Sequence, residues 1–297
     1  MNLTRINSSE LVILSKLNYI DSLLKLLNYF IFLLIFIFII ISSNNIGILF
    51  VLEILLGLLF AHGLELQHEV LHGNMFHLDL LNRFFGFFLG VPMLVSYTHY
   101  KCKHLHHHKY LGTAEDAELF DYKDASLKNW HLFIIRAWNL SRVPHFLFSL
   151  VSFLKSKYPF SIHSHKLQQS VLIEYILLLV ISISAVLYDI INHTFLFVKI
   201  WFIPWLVFGE VFHFLIELPE HIGCQKDTRD VTKNTRSIQT NPLIRFIVNS
   251  NNYHVEHHTY PKVSFKNLHL VNKKIKKNLS YYSISYFHFY RFLFYHI

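Results

Sequence analysis

Four apolar stretches decide what this chain can fold into. A helix that crosses the hydrocarbon core of a bilayer takes about 20 mostly apolar residues. The segments 23–41, 46–66, 171–191 and 195–216 reach or approach that length. The first pair is joined by Ser42-Ser43-Asn44-Asn45 and the second by Asn192-His193-Thr194. Connections this short allow only helical hairpins. The expected fold is an all-α integral membrane protein with four transmembrane helices in two hairpins. One membrane domain over residues 1–297 is the simplest organisation, with a loop at 67–170 and a tail at 217–297 outside the spans. A shorter apolar run at 84–95 contains Gly86, Gly90 and Pro92, and reads as a re-entrant or interfacial segment.

Composition agrees. Hydrophobic residues make up 53% and charged residues 15%, against about 25% charged in soluble domains. The net charge of +8 would suit nucleic acid or an anionic membrane face. The apolar runs favour the membrane, and no nucleic-acid partner is expected. Lys and Arg mark the cytosolic side. Both hairpin connections lack them, whereas Arg5, Lys16, Lys25, the long loop and the tail supply them. Both termini and the loop are therefore expected in the cytosol. Cys102 and Cys224 have no CxxC spacing and fall in those cytosolic parts, so no disulfide is expected. The aromatic tail from Tyr281 to Tyr295 suits a membrane interface or a packing helix.

Three histidine clusters fall on that same side: His68-Glu-Val-Leu-His72, His104-Leu-His106-His107-His108 and His254-Val-Glu-His257-His258. Residues three and four apart share a helix face. His68 with His72, then His104, His107 and His108, then His254, His257 and His258 thus form three facing sets. Neutral imidazole ligates zinc, iron, copper and nickel. Eight imidazoles exceed one zinc site, so two ions, each with an open position, fit better. His106 points away from its set. His62, His77, His99 and His213 are out of register with any cluster, although His213 stands inside the fourth span, where an ionisable group suggests function. A metal ligand needs its other ring nitrogen fixed by an acceptor; Asp116, Glu118, Glu69 and Glu256 are the nearby carboxylates.

With these motifs in order, the chain resembles the membrane fatty acid desaturase and hydroxylase superfamily, whose HxxxH, HxxHH and HxxHH boxes they match. Asp116-Ala117-Glu118 after the second box, Asn234-Thr235-Arg236-Ser237 before the third, and 252–261 around it extend the resemblance, which runs from about 61 to 270. It implies a non-haem centre of two iron ions on the cytosolic face, and a further ligand after the last span, a place held by His221 in Leu218-Pro219-Glu220-His221. It implies Asp116, Glu118, Glu256 and Arg236 as supporting residues, with Arg236 pairing with a carboxylate or meeting the substrate head group. It implies a reaction in which dioxygen and two electrons remove hydrogen from an unactivated fatty acyl chain, leaving an alkene. No His-Pro-Gly-Gly haem motif is present, so a separate ferredoxin or cytochrome is expected as electron donor. An apolar tunnel is expected from residues 84–95 and the inner ends of the second and fourth spans. Two alternatives stand beside this: a lipid or carotenoid hydroxylase or ketolase built on the same boxes, and a metal transporter with histidine-rich loops. Transport needs polar groups through the midplane, and the spans are poor in them.

Overall fold

The computed structural model describes residues 6–116, 129–159 and 161–295. Glu118 lies outside them. A short helix, α1 (Ser8–Leu14), precedes four long ones: α2 (Tyr19–Ser42), α3 (Ile46–Leu71), α8 (His165–Asn192) and α9 (Val198–Glu220). All four are long and apolar enough to cross a membrane. With only two two-residue strands among the described residues, this makes the chain an all-α integral membrane protein. Helices α2, α3 and α8 exceed the apolar runs by a few residues, and α9 is shifted three residues later at its start. Asn18 and Asn45 each accept hydrogen bonds from two free backbone N–H groups at the heads of α2 and α3.

Helix α3 is central. It packs on α2, on α9 and on α4 (Asp79–Gly90). Its second half, from Leu56 to Leu71, is almost wholly covered, while its first turns and much of α2 and α8 turn large apolar side chains outward, Phe38 being 70% and Ile190 61% exposed. Exposed apolar faces on long helices suit lipid. Gly57 allows α3 and α9 to touch: a Cβ there would sit 2.5 Å from the Pro204 carbonyl. The α9 backbone at this contact is wound as π turns, Val198–Phe202 and Pro204–Gly209, before returning to α-helix at Glu210–Glu217. Pro204 has no N–H to give an i−4 carbonyl, a common cause of such irregularity.

The apolar run at 84–95 does not continue as a straight span. Asp79–Met93 meets α5 (Tyr97–Tyr110) at a 97° bend. Leu94 takes a left-handed conformation at φ 54°, and a Cβ on Gly90 would lie 2.2 Å from the Val95 carbonyl. The loop expected between the second and third spans contains two more helices, α6 (Trp130–Trp138) and α7 (Arg142–Leu154).

After α9 the chain forms α10 (Val231–Asn234), β1 (Ser237–Ile238), α11 (Pro242–Ile247), α12 (His254–Thr259), α13 (Leu268–Ile275), β2 (Tyr282–Ser283) and α14 (Tyr286–Tyr295). The two short strands pair in parallel. The aromatic tail is a packing helix on one face. Phe294 stacks on Trp130 at 4.5 Å, and the Tyr290 hydroxyl donates to the Leu215 carbonyl at 2.6 Å. Phe287 and Phe292 stay exposed on the other face.

Candidate metal centre

The three boxes converge at one end of the helix bundle. His68 lies in the last turn of α3, and His72 caps it. Helix α5 carries the second box, α12 the third, and His221 follows α9 directly. All nine histidines singled out from the sequence come together here. His68, His72, His104, His108 and His257 form one group. His107, His221 and His258 form a second, and His254 joins His221 and Glu220 in a third; within each group the donor atoms lie within 4.8 Å of one another.

Nitrogens face nitrogens across these groups. His68 Nε2 is 2.7 Å from His104 Nε2, which is 2.9 Å from His108 Nε2, and that atom is 3.1 Å from His257 Nε2. Two imidazoles bound side by side at right angles on one ion, each at about 2.1 Å, would be separated by about 3 Å.

Hydrogen bonds on the far side of the rings decide which nitrogen is bare. His107 donates its Nδ1–H to both oxygens of Asp116, at 2.9 and 3.0 Å. His221 donates its Nδ1–H to the Asn234 carbonyl at 3.0 Å, and His254 donates its own to Asn251 Oδ1 at 3.1 Å. A neutral imidazole carries one proton, so in the neutral form Nε2 of each of the three is an unprotonated acceptor. Burial, then repulsion from neighbouring rings, holds His72, His254, His257 and His258 well below the ordinary histidine range. They are neutral at pH 7. Nε2 of His72 is buried with no hydrogen-bond partner. Lone pairs gathered in a buried volume repel one another unless a cation lies between them, so the donor set fits metal ions.

Gly112 shapes the turn that brings Asp116 under His107. It sits at φ +76° against the Thr228 carbonyl, leaving no room for a Cβ. Asp116 is fully buried. Asp116→Asn keeps an acceptor for Nδ1–H but removes its charge. Metal retained through chelator washes, measured by elemental mass spectrometry, is expected to fall about 10–100-fold in affinity. Wild-type retention would mean that the Asp116 charge does nothing for the centre.

The other carboxylates and Arg236 lie elsewhere. Glu256 accepts from Ser237 Oγ at 2.5 Å and Asn272 Nδ2 at 2.7 Å, bracing α12 from behind. Glu69 takes Lys25 Nζ at 2.5 Å and Asn249 Nδ2 at 2.9 Å, tying the base of α2 to the end of α3. Arg236 donates to the carbonyls of Pro219 and Ile222 at 2.6 and 2.8 Å. It straddles the turn that presents His221, with its guanidinium over the Phe289 ring.

Histidines set aside from the sequence lie outside these groups. His62 bonds the Ile247 carbonyl through Nδ1 at 2.7 Å, and His99 bonds the Tyr175 hydroxyl at 2.6 Å. His106 packs on Tyr110, His77 packs on Tyr19, and His213 pairs with Glu217 at 3.1 Å.

A cavity of about 1450 Å³ opens beside the cluster, with His68, His104, His107, His221 and His254 in its wall. Leu64 of α3, Phe214 of α9 and Leu94 and Val95 from the expected tunnel segment line it. The rest of that segment does not, and Phe84 is 54% exposed. The opposite wall, including Ile135, Phe146 and Phe153, comes from α6 and α7.

Membrane-length helices ending on a buried histidine cluster beside a cavity define an integral membrane protein with a donor set that could hold metal ions. The family model described as fatty acid desaturase matches residues 44–290, and the chain belongs to that family. It is therefore an oxidoreductase of the desaturase type. A curated relative, dihydrorhizobitoxine desaturase of Bradyrhizobium elkanii, is 26% identical over 240 residues, covering 76% of this chain and 67% of the relative.

Proposed function

We propose that the chain introduces a carbon–carbon double bond into a fatty acyl chain at a centre of two iron ions. The observation that carries this reading is the set of buried imidazoles whose ring nitrogens converge at the wall of a partly apolar cavity. His68, His72, His104, His108 and His257 would hold one ion, and His107, His221, His254 and His258 the other. When bound, the ions supply binding and reduction of dioxygen, and with it the oxidising power to take hydrogen from an unactivated C–H bond. Overall, an acyl –CH2–CH2– unit, one dioxygen, two electrons and two protons give –CH=CH– and two waters.

The chain's own residues perform the rest. Asp116, Asn234 and Asn251 fix ring orientation and tautomer. Leu64, Leu94, Val95, Phe146 and Phe214 offer the apolar wall against which an acyl chain aligns. The electrons come from a separate ferredoxin or cytochrome docking on the basic face. The site and both termini lie on the cytosolic side, as the distribution of Lys and Arg supports.

Lipid mass spectrometry of a host expressing the chain, co-supplied with a ferredoxin and a cytochrome donor, tests the reading. The expected result is loss of two hydrogens from an acyl chain. Gain of one oxygen would replace desaturation by hydroxylation. Because the relative's name gives dihydrorhizobitoxine as what it desaturates, polar metabolites are profiled in the same cells. A change confined to them would overturn the acyl substrate while keeping the reaction.

A further inference from the structure

We infer that Glu220 is itself a metal-binding residue: its carboxylate is a further donor to the ion that His107, His221, His254 and His258 surround. This rests on the metal-centre reading above and adds to it an anionic oxygen ligand among the histidines. Glu220 ends α9, one residue before His221.

Its position follows from a small network. Asn251 Nδ2 donates to Glu220 Oε1 at 2.6 Å, and this orients the amide. With its nitrogen on Glu220, Asn251 presents its oxygen to His254 Nδ1 at 3.1 Å. Nδ1 therefore carries the His254 proton, and Nε2 is bare. That bare nitrogen stands 3.1 Å from Glu220 Oε2 and 3.1 Å from His258 Nε2. A lone pair thus faces a carboxylate oxygen on one side and a second imidazole nitrogen on the other. Two acceptors at this distance repel each other unless a cation or a proton lies between them. A proton on His254 Nε2 could not bridge both contacts, Glu220 Oε2 and His258 Nε2, which lie at 3.1 Å each. A metal ion satisfies both contacts at once.

The number of donors agrees. One group has five histidines; His107, His221 and His258 form the second, and Glu220, His221 and His254 the third, so these two share His221 and together also offer five donors. Charge agrees as well. Neutral imidazoles leave the charge of the ions uncompensated in a buried site, and buried charges need a partner. Asp116 provides one from behind the His107 ring, and Glu220 provides one directly.

The test uses the full chain in detergent, stripped of metal and titrated anaerobically with cobalt(II). Bound cobalt per chain and the ligand-field absorption are read for wild type, Glu220→Gln and Glu220→Asp. Gln has the same shape and still offers Asn251 an acceptor, but not the anionic oxygen. The expected result is two cobalt ions on wild type. On Glu220→Gln one ion binds as before and the other about 10–100-fold more weakly or worse, with its absorption band changed. Glu220→Asp should recover part of the loss. Wild-type affinity and spectrum in Glu220→Gln would overturn the inference and leave Glu220 as an ion-pair partner of His254. Wild type that binds no cobalt would overturn the metal centre itself. If apo Glu220→Gln melts early, Glu220→Asp decides: an altered band in a stably folded protein supports the inference, and an unaltered one overturns it.

Discussion

His257→Ala is expected to abolish turnover while the protein still inserts in the membrane. His257 is fully buried. Its ring lies edge-on to His68, His72 and His108, with centroids 4.8, 4.5 and 4.8 Å away, and Phe265 closes the other side at 4.9 Å. No other histidine reaches this position from α12, because His254 and His258 serve the neighbouring group. Loss of a partner that merely orients a ligand costs about 10–100-fold in metal affinity or activity, so loss of a ligand should cost more than about 100-fold. The substitution lies in α12, outside all four spans, and insertion should be unchanged. Product formation, bound metal and the membrane fraction are measured together. Near-normal turnover in an inserted protein would sink the assignment of His257 as a ligand. Loss of insertion would mean that the histidine end holds the helix bundle together.

The second large effect concerns a buried ion pair outside the boxes, in the wall of the same cavity. Glu210 of α9 is buried. It accepts from Arg142 Nη2 at 2.9 Å, Asn139 Nδ2 at 3.1 Å and Trp205 Nε1 at 2.6 Å, and pairs with Arg142 Nε as well. These contacts fasten α6 and α7 to α9, and so hold one cavity wall to the other. Arg142→Leu leaves the carboxylate with neutral donors only. Breaking such a pair costs about 3–5 kcal/mol. The Arg142 side chain is 18% exposed, which places the expectation near the lower end, about 3 kcal/mol. Leu at both positions should recover much of this, because apolar residues can replace a buried pair at little cost. Melting temperatures in detergent for the two single variants and the double form the cycle. An Arg142→Leu protein as stable as wild type would show that the pair does not secure the wall.

What the sequence could reveal follows from the range of each physical rule. Bilayer thickness sets span length, so all four long helices were legible to within a few residues at most ends. Helix periodicity put the box histidines on shared faces, and they converge. Periodicity also explains why Glu256 turns away from the cluster. Two residues from His254 and one from His257, it points behind α12, where Ser237 and Asn272 receive it. Helices α6 and α7 were not legible, since they are short and their apolar faces have meaning only against α9 and the cavity. Asn234, Asn251 and Glu220 were equally hidden. Asn234 and Glu220 are written next to motif residues, yet their partners lie 13 and 34 residues away, and no local rule links them. Asn251 lies only three residues before His254, but it is not the cap of α12, which is Tyr253, so a capping argument does not find it either.

The interleaving of the boxes has a consequence for biosynthesis. The five-histidine group takes His257 from α12, the second group takes His258 and the third takes His254 from the same helix. No set of donors is complete while the ribosome is still translating the last spanning helix. A complete donor set for an ion therefore exists only once the tail that carries α12 has been made and has docked on the bundle. The hydrogen bonds of Asp116, Asn234 and Asn251 would then serve as a waiting scaffold, holding the imidazoles in register through the interval between insertion and metal delivery.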